Sequence, residues 1–310
     1  KTKKGVMIIN CARGGVVNEK DIAEAIKSGH VGGCAFDVFV NEPPEEGNPL
    51  LALDENVVFT PHLGASTEEA QTKVGLAISE QIVDFLLNGV VKNAVNMPSV
   101  SLDVLKTIGP YLTLAEKLGS LQGQLCKGGV REIQLQYDGE ISGLDTRPVT
   151  VSALKGFLAP IMDVVVSHVN APVIAEERGI KVIESKSSQA KDYTSLITIK
   201  VKTDDGESQV SGTIFGTEEP RVVGINGLKI DVVPSGYMLV SENKDRPGFI
   251  GAMCTTLGDN GVNIGLLHLG RESIGGRAIV FTNVDSPVPE EVIEKIKNLP
   301  DIISVTQVNL

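Results

Sequence analysis

This sequence of 310 residues has no cluster of basic side chains beyond its first four residues and no closely spaced pair of cysteines. The formal net charge is −11, and the one basic cluster lies at residues 1–4, so the composition argues against a nucleic-acid partner. The four cysteines lie far apart without a Cys-x-x-Cys pair, and this pattern indicates neither a disulfide framework nor a zinc site. We therefore expect a protein that holds no structural metal and works in a reducing cytoplasm.

Long apolar runs are missing as well. No stretch approaches the ~20 apolar residues that a membrane span needs, and no signal peptide precedes the first apolar segment. The length allows two or three domains, each with a core of its own. Because residues 5–10 already read as a buried strand, we expect the chain to begin inside a domain.

Charged side chains follow two apolar segments that read as strands of a parallel sheet. Arg13 and two glycines come after residues 5–10, and a guanidinium at such a bend can hold a small carboxylate through two hydrogen bonds. A solvated arginine in a turn is an equally good interpretation of this stretch alone. Asp37 and Glu42 come after the segment 31–36, and the prolines that follow Glu42 restrict where its carboxylate points.

His62 follows a third apolar segment, residues 57–59. A helix is predicted next, with Ser66 as N-cap, Glu69 completing a capping box, and an end near Leu87. A lone histidine in a loop is usually only a solvated side chain. The carboxyl ends of parallel strands, however, meet at one edge of the sheet, where open α/β folds place their ligands.

Arg13, Glu42 and His62 at one sheet edge would support oxidation of a 2-hydroxy acid. A carboxylate that accepts a hydrogen bond from one imidazole nitrogen fixes the tautomer, so the other nitrogen can take the proton of a substrate hydroxyl. The guanidinium would hold the substrate carboxylate. Hydride would pass from the same carbon to a nicotinamide cofactor.

The segments Ile9–Gly15, Phe36–Pro44 and Thr60–Thr67 resemble the D-2-hydroxyacid dehydrogenase family in order and spacing, and most of all its members that oxidise 3-phosphoglycerate. The resemblance implies NAD as cofactor, Arg13 as the group that binds the substrate carboxylate, Glu42 as the partner that orients the histidine, and His62 as acid and base. It also implies that Asp37 contacts the nicotinamide carboxamide. The residues that would line the cofactor are Cys11, Ala12, Arg13, Asp37, His62, Leu63, Gly64 and Ala65.

The sequence departs from this family at its start. It has no G-x-G-x-x-G motif after a strand and no acidic residue about 20 positions further on to hold the ribose hydroxyls. We therefore expect residues 1–97 to form a partial Rossmann-like, doubly wound parallel sheet, the C-terminal half of an NAD-binding domain. The segment by itself is expected neither to bind NAD tightly nor to turn over substrate.

Residues 98–234 mix amphipathic helices with alternating strands. Leucines at helical spacing lie within 114–125, residues 133–137 alternate as a strand, and Asp204-Asp205-Gly206 predicts a hairpin. The segment resembles the α+β intervening, or allosteric substrate binding, domain of longer family members. That likeness implies a weak anion site at Arg221, although a solvated arginine is the stronger interpretation, and Val233 stands where other members can carry a second basic residue.

Residues 235–310 predict the order βαββαβ and a ferredoxin-like antiparallel sheet with two helices on one face. The Asp-Arg-Pro-Gly turn at 245–248 and the strand start at 261–264 resemble an ACT domain. The resemblance implies edge-to-edge pairing of two such domains and binding of serine by Asn243, Asp245 and Asn263. Turn geometry alone could equally explain the aspartate and Asn263.

The combined expectation is an NAD-dependent enzyme that converts 3-phosphoglycerate to 3-phosphohydroxypyruvate, the first step of serine synthesis, as a homodimer or homotetramer under serine feedback. One alternative is a dehydrogenase for another 2-hydroxy acid. Another is that this polypeptide works only as an amino-acid-sensing and oligomerising module. Serine is expected to restrict swivelling at connectors within residues 93–98 and 233–236.

Overall fold

The computed structural model describes residues 1–96, 102–189 and 192–310, and the chain divides into two units, residues 1–89 and 90–310. The helices are α1 (Glu19–Lys27), α2 (Glu68–Asn88), α3 (Leu102–Leu125), α4 (Arg147–Leu158), α5 (Ala171–Glu177), α6 (Phe249–Asp259) and α7 (Glu290–Lys297). The strands are β1 (Val6–Asn10), β2 (Val31–Phe36), β3 (Val57–Phe59), β4 (Val130–Gly139), β5 (Lys181–Ser187), β6 (Ser195–Thr203), β7 (Gly206–Phe215), β8 (Glu219–Ile225), β9 (Leu228–Val232), β10 (Tyr237–Lys244), β11 (Ile264–Arg271), β12 (Arg277–Val284) and β13 (Ile302–Asn309).

The first unit contains a parallel sheet in the order β1-β2-β3. Its core, which includes Ala23 of α1, Phe36 and Phe39, covers one face of the sheet. On the strands Met7, Ile9 and Val58 remain largely exposed, and α2 has no buried residue. The predicted partial Rossmann-like parallel sheet is confirmed, whereas the expected burial of the first strand is not observed, because only one face of the sheet is covered within residues 1–89.

The N-terminus of α2 corrects one detail of the sequence prediction. Thr67, and not Ser66, is the N-cap, and its hydroxyl accepts a hydrogen bond from the Ala70 amide at 3.2 Å. The Ser66 hydroxyl instead donates to the carbonyl oxygen of His62 at 3.4 Å. Two neighbouring hydroxyl residues compete for the cap here, and the turn that follows His62 decides which one reaches the helix amides.

The second unit begins with a six-stranded sheet in the order β5-β4-β6-β7-β8-β9, in which only β4 and β5 run parallel among its described strands. The helices α3 and α4 contact each other closely, because a Cβ on Gly119 would lie 2.2 Å from the carbonyl oxygen of Ala153. A Cβ on Gly156 would lie 2.0 Å from the carbonyl oxygen of Glu116. Glycine at these positions therefore sets the distance between the two helices.

The last segment has the predicted βαββαβ order, with a four-stranded antiparallel sheet in the order β11-β12-β10-β13. One face packs against α6 and α7, as Leu239, Met253 and Val292 share a core. The other face contributes Met238 and Phe281 to the core of the six-stranded sheet. The fold class expected from the sequence is confirmed. Among the described residues, no helix has the length and the apolar character needed to cross a bilayer.

Candidate functional site

The carboxyl ends of β1, β2 and β3 lie side by side. Asn10 is opposite Phe36 in the first strand pair, and Phe36 is opposite Phe59 in the second. The segments that follow these strands carry Arg13, Asp37 with Glu42, and His62. Parallel pairing in this register therefore brings the predicted polar segments to one edge, which is where open α/β sheets bind ligands.

Asp37 is buried, and its carboxylate organises the loop after β3. Oδ1 accepts hydrogen bonds from the Thr60 hydroxyl at 2.5 Å and the Leu63 amide at 2.7 Å, and Oδ2 accepts one from the Gly64 amide at 2.8 Å. The Thr60 hydroxyl and then the Leu63 amide hold the pKa of Asp37 below its usual range, because both hydrogen bonds favour the ionised carboxylate. Asp37 thus shapes the segment that carries His62.

His62 lies in the left-handed region of backbone space, with φ 55°. A non-glycine residue rarely adopts this conformation without help from its surroundings. Its amide donates to the carbonyl oxygen of Asp37 at 3.0 Å, and the neighbouring amides bind the Asp37 carboxylate. These contacts hold the backbone of His62 at the end of β3.

The imidazole of His62 contacts the carboxylate of Glu42. Nδ1 lies 2.7 Å from Oε2, although the residues are 20 positions apart, and both side chains remain partly exposed. Glu42 Oε1 also accepts the Phe39 amide at 3.1 Å. The hydrogen bond from His62 and then the one from Phe39 lower the pKa of Glu42. Because an ionised carboxylate only accepts hydrogen bonds, the neutral imidazole carries its proton on Nδ1 and leaves Nε2 free to accept one.

A cleft of about 490 Å³ borders this pair. Its lining includes Glu42 and His62 together with apolar surface from Phe39, Leu51 and Phe59. Apolar walls with a few polar groups are typical of small-molecule sites. The arrangement can accept a proton from a bound hydroxyl group.

Arg13 lies apart from the contact between Glu42 and His62. Its guanidinium is exposed and donates to the carbonyl oxygen of Ala12 at 2.7 Å, and Arg13 does not belong to the lining of the cleft. The loop behind it does approach the cleft, because a Cβ on Gly14 would lie 1.9 Å from the carbonyl oxygen of Phe39. The structure therefore brings two of the three predicted catalytic side chains into contact and the third into a neighbouring loop.

The other predicted cofactor residues lie on the loops around these side chains. Cys11, Ala12, Leu63, Gly64 and Ala65 are all exposed. Exposed backbone at a strand end can be reached by a dinucleotide. The sequence reasoning missed Asn10, whose buried side chain accepts from the Ala12 amide and donates to the carbonyl oxygen of Arg13, both at 3.1 Å. The sequence does contain a signal for this role, because Asn10 is a polar residue at the end of an apolar strand.

Arg221, the predicted anion contact, is held by carboxylates of its own domain. Its NH2 group lies 2.8 Å from Glu219 Oε1, and its NH1 group lies 3.1 Å from Asp231 Oδ1. The guanidinium carbon lies 5.3 Å from the centre of the Phe215 ring. An incoming anion would have to compete with both carboxylates for this guanidinium.

The three predicted effector residues do not gather within one chain. Asn243 on β10 is opposite Ala278 of β12, whereas Ile264, which follows Asn263, is opposite Val284. The two positions on β12 are offset by six residue steps, about 20 Å at the usual strand rise. Asn263 therefore lies at the opposite end of the sheet from Asn243 and Asp245.

Two of the predicted effector residues, Asp245 and Asn263, already form side-chain hydrogen bonds within the chain. Asp245 Oδ2 lies 3.0 Å from Arg271 NH1, and Asn263 donates to Asp285 at 2.8 Å. Asn243 is buried, and its Oδ1 has no hydrogen-bond partner among the residues that the structure describes. The described residues also contain no group of three or more His, Cys, Asp or Glu side chains that could hold a metal ion.

Three family models match the chain. Residues 1–64 match the NAD binding domain of D-isomer specific 2-hydroxyacid dehydrogenases, residues 107–226 match the D-3-phosphoglycerate dehydrogenase intervening domain, and residues 237–301 match the ACT domain. The chain is thus similar to three kinds of domain in succession: the NAD binding domain of D-isomer specific 2-hydroxyacid dehydrogenases, the D-3-phosphoglycerate dehydrogenase intervening domain and the ACT domain.

Over its whole length the chain is similar to D-3-phosphoglycerate dehydrogenases. The protein of this name from Methanocaldococcus jannaschii is 42% identical over 308 residues, 99% of this chain and 58% of that protein. The one from Bacillus subtilis is 40% identical over 310 residues, 100% of this chain and 59% of that protein. The chain thus spans less than two thirds of the length of these relatives, and the resemblance read from its motifs is confirmed.

A solved D-isomer specific 2-hydroxyacid dehydrogenase from Xanthobacter autotrophicus Py2 is 35% identical to this chain over the aligned region. That region covers 33% of this chain and 38% of the solved chain. Its TM-score of 0.26 is too low to support a structural argument.

Proposed function

We propose that this chain is part of an NAD-dependent dehydrogenase that oxidises 3-phosphoglycerate to 3-phosphohydroxypyruvate, the first step of serine synthesis. The observation that carries the proposal is the 2.7 Å contact between His62 and Glu42 at the carboxyl edge of a parallel sheet. The similarity to D-3-phosphoglycerate dehydrogenases over the whole chain supports this choice of substrate.

In the proposed reaction Nε2 of His62 takes the proton of the substrate hydroxyl. Glu42 keeps the Nδ1 proton in place and stabilises the imidazolium that forms. Arg13 turns toward the cleft and binds the substrate carboxylate through two hydrogen bonds. NAD supplies the acceptor for the hydride that leaves the same carbon.

The residues present fit only part of such a cofactor. The exposed backbone from His62 to Ala65 and the exposed residues 11–12 could border a nicotinamide, whereas a glycine fingerprint for the pyrophosphate is missing from the sequence. We therefore expect the isolated chain to show no micromolar affinity for NADH in a fluorescence titration, and no turnover.

The catalytic roles can be tested in a chimera in which the upstream part of the Bacillus subtilis relative precedes residue 1. The chimera should reduce NAD with 3-phosphoglycerate, and His62→Ala should lower kcat by about 10²–10⁴-fold, the usual contribution of a general base. His30→Ala is the matched control, because His30 is exposed and its side chain hydrogen-bonds to Thr2, outside the site. Equal activity of the two variants would contradict the proposal.

The same experiments distinguish two other functions. A dehydrogenase for another 2-hydroxy acid would make the same chimera prefer an unphosphorylated substrate in a panel of hydroxy acids. A purely regulatory module would bind serine in calorimetry, and the chimera would show no turnover.

Serine is proposed to bind between two ACT domains that belong to two copies of the chain, as a homodimer or part of a homotetramer. The strand β11 lies at the edge of its sheet, and antiparallel pairing of two such edges would bring Asn263 of one copy near Asn243 and Asp245 of the other. An aspartate suits the ammonium group of an amino acid, and amides suit its carboxylate. The buried and unpartnered Oδ1 of Asn243 supports this location.

The domain limits at 97/98 and 234/235 are part of the proposal, as is a cytoplasmic location. The first limit lies outside the described residues, and the three family matches at 1–64, 107–226 and 237–301 support the division.

A further inference from the structure

Glu19, the first residue of α1, makes contacts that its position in the helix does not explain. Acidic residues in a first helical turn usually interact with the helix dipole and remain solvated. The carboxylate of Glu19 is instead half-buried and reaches a different segment. Oε1 accepts the Val40 amide at 2.7 Å, and Oε2 accepts the side-chain amide of Asn48 at 2.7 Å.

These contacts hold the loop that carries Glu42. The amide of Phe39 donates to Glu42, and the next amide, that of Val40, donates to Glu19. Hydrogen bonds to ionised carboxylates are among the stronger ones in proteins. The two glutamates therefore bind consecutive amides, and the orientation of this stretch of backbone is shared between them.

Two further contacts restrict the same stretch. The Phe39 ring packs at 5.5 Å from the Phe59 ring, centre to centre, and the backbone of Gly14 lies against the carbonyl of Phe39. The carbonyl oxygen of Phe39 and the amide of Val40 belong to one planar peptide group, so the contact at Gly14 and the hydrogen bond to Glu19 restrain the same peptide plane from its two sides. Glu19 supplies the hydrogen bond of this pair of restraints.

We propose that Glu19 is a positioning residue that aims the carboxylate of Glu42 at Nδ1 of His62 by binding the Val40 amide and the Asn48 side chain. The inference rests on the proposed function, in which the contact between Glu42 and His62 sets the tautomer of the catalytic imidazole. Glu19 touches neither the cleft nor a reacting atom and acts through Glu42.

The test uses the 310-residue chain and ring ¹⁵N NMR at about pH 8, above the ordinary titration range of histidine. The wild-type His62 ring should carry its proton on Nδ1, and Glu42→Ala should remove that preference. Glu19→Ala should lower the ratio of the Nδ1–H to the Nε2–H form by about fivefold, the change expected for one hydrogen bond. Glu19→Gln, which keeps one acceptor oxygen, should give an intermediate ratio.

Asp21→Ala is the matched control, because it removes a carboxylate from the same helix turn without a contact to the loop. If Glu19→Ala unfolds the first unit, Asn48→Ala provides a second test, because it removes one of the two groups that Glu19 binds. A wild-type ratio in Glu19→Ala, or an equal shift in Asp21→Ala, overturns the positioning role and leaves the dehydrogenase proposal standing. A wild-type His62 that lacks the Nδ1–H form overturns the contact itself, and the proposed function with it.

Discussion

The side-chain amide of Gln124 exchanges two hydrogen bonds with the backbone of Asn309, 185 residues further along the chain. Nε2 donates to the carbonyl oxygen, and Oε1 accepts the amide, both at 2.9 Å. Lys117 on α3 also donates a hydrogen bond to the carbonyl oxygen of Pro234 at 2.6 Å. The core of the six-stranded sheet includes Met238 and Phe281, so one apolar core extends across the connector at residues 233–236. The expected swivel at residues 233–236 is not supported, because motion there would break these contacts.

Gln124→Ala should destabilise the second unit as a whole. Loss of two exchanged hydrogen bonds should lower the free energy of unfolding by about 1–2 kcal/mol in urea denaturation. The intervening and ACT domains should still unfold in one transition, since they share a core. Gln134→Ala, on the polar side of β4, serves as control. If the ACT domain of the wild-type protein unfolded in a separate transition, the two domains would not share one core.

Gly156→Ala should destabilise the second unit although alanine is the better helix former. The new Cβ would lie 2.0 Å from the carbonyl oxygen of Glu116, so α3 and α4 must separate, at a cost of about 1–3 kcal/mol for overpacking. Gly251→Ala is the matched control, because its Cβ would meet nothing within 4 Å. The control should gain up to about 1 kcal/mol from helix propensity. Thermal denaturation that ranks the variants in the opposite order would refute the close packing.

The first unit should lose stability in acid through Asp37 and Glu42. Both pKa values are lowered in the folded state by hydrogen bonds to the carboxylates, so the unfolded chain binds more protons. The contribution is complete above the unfolded values of about 3.9 and 4.3, and it is lost as the pH falls through the folded values. Asp37→Asn should reduce the fall of the melting temperature with decreasing pH. The exposed Asp54→Asn should leave it unchanged, and equal curves for the two variants would contradict the assignment.

Variants of the proposed serine site should complement each other between chains. Homodimers of Asp245→Ala and of Asn263→Ala should each fail to bind serine in calorimetry, because every site would lack one ligand. A mixed dimer would keep one complete site, so half of the wild-type stoichiometry should return. Complementation follows only if the residues meet across two copies, as their positions at opposite ends of the sheet require. A mixed dimer without serine binding would exclude a shared site.

Phosphate binding at Arg221 should be limited by its carboxylate partners. Asp231 lies 3.1 Å from the guanidinium, and Asp231→Asn should strengthen phosphate binding by about fivefold if a partly exposed ion pair contributes about 1 kcal/mol. Asp204→Asn, which neutralises a carboxylate paired with Arg131 in the same domain, controls for net charge. Identical affinities would leave the anion site without support.

Local patterns predicted many elements correctly. The hairpin at residues 204–206 joins β6 to β7, and Leu114, Leu118 and Leu121 are fully buried on one side of α3. These signals depend on neighbours within a turn or two of the chain. The start of α3 lay before the predicted stretch, and the cap of α2 shifted by one residue, because element ends depend on tertiary contacts.

The amino-acid sequence by itself determined the order of strands and helices, the polar residues at the three strand ends and the likeness of each segment to its family. Only the tertiary structure decided which of those polar groups touch. Parallel pairing and the loop that Asp37 holds bring His62 to Glu42, while the guanidinium of Arg13 donates to the carbonyl oxygen of Ala12. Antiparallel pairing separates Asn263 from Asp245 by the length of a strand. Contacts between side chains that lie 20 or more residues apart in the sequence depend on strand register and packing. Local sequence patterns predict neither of the two.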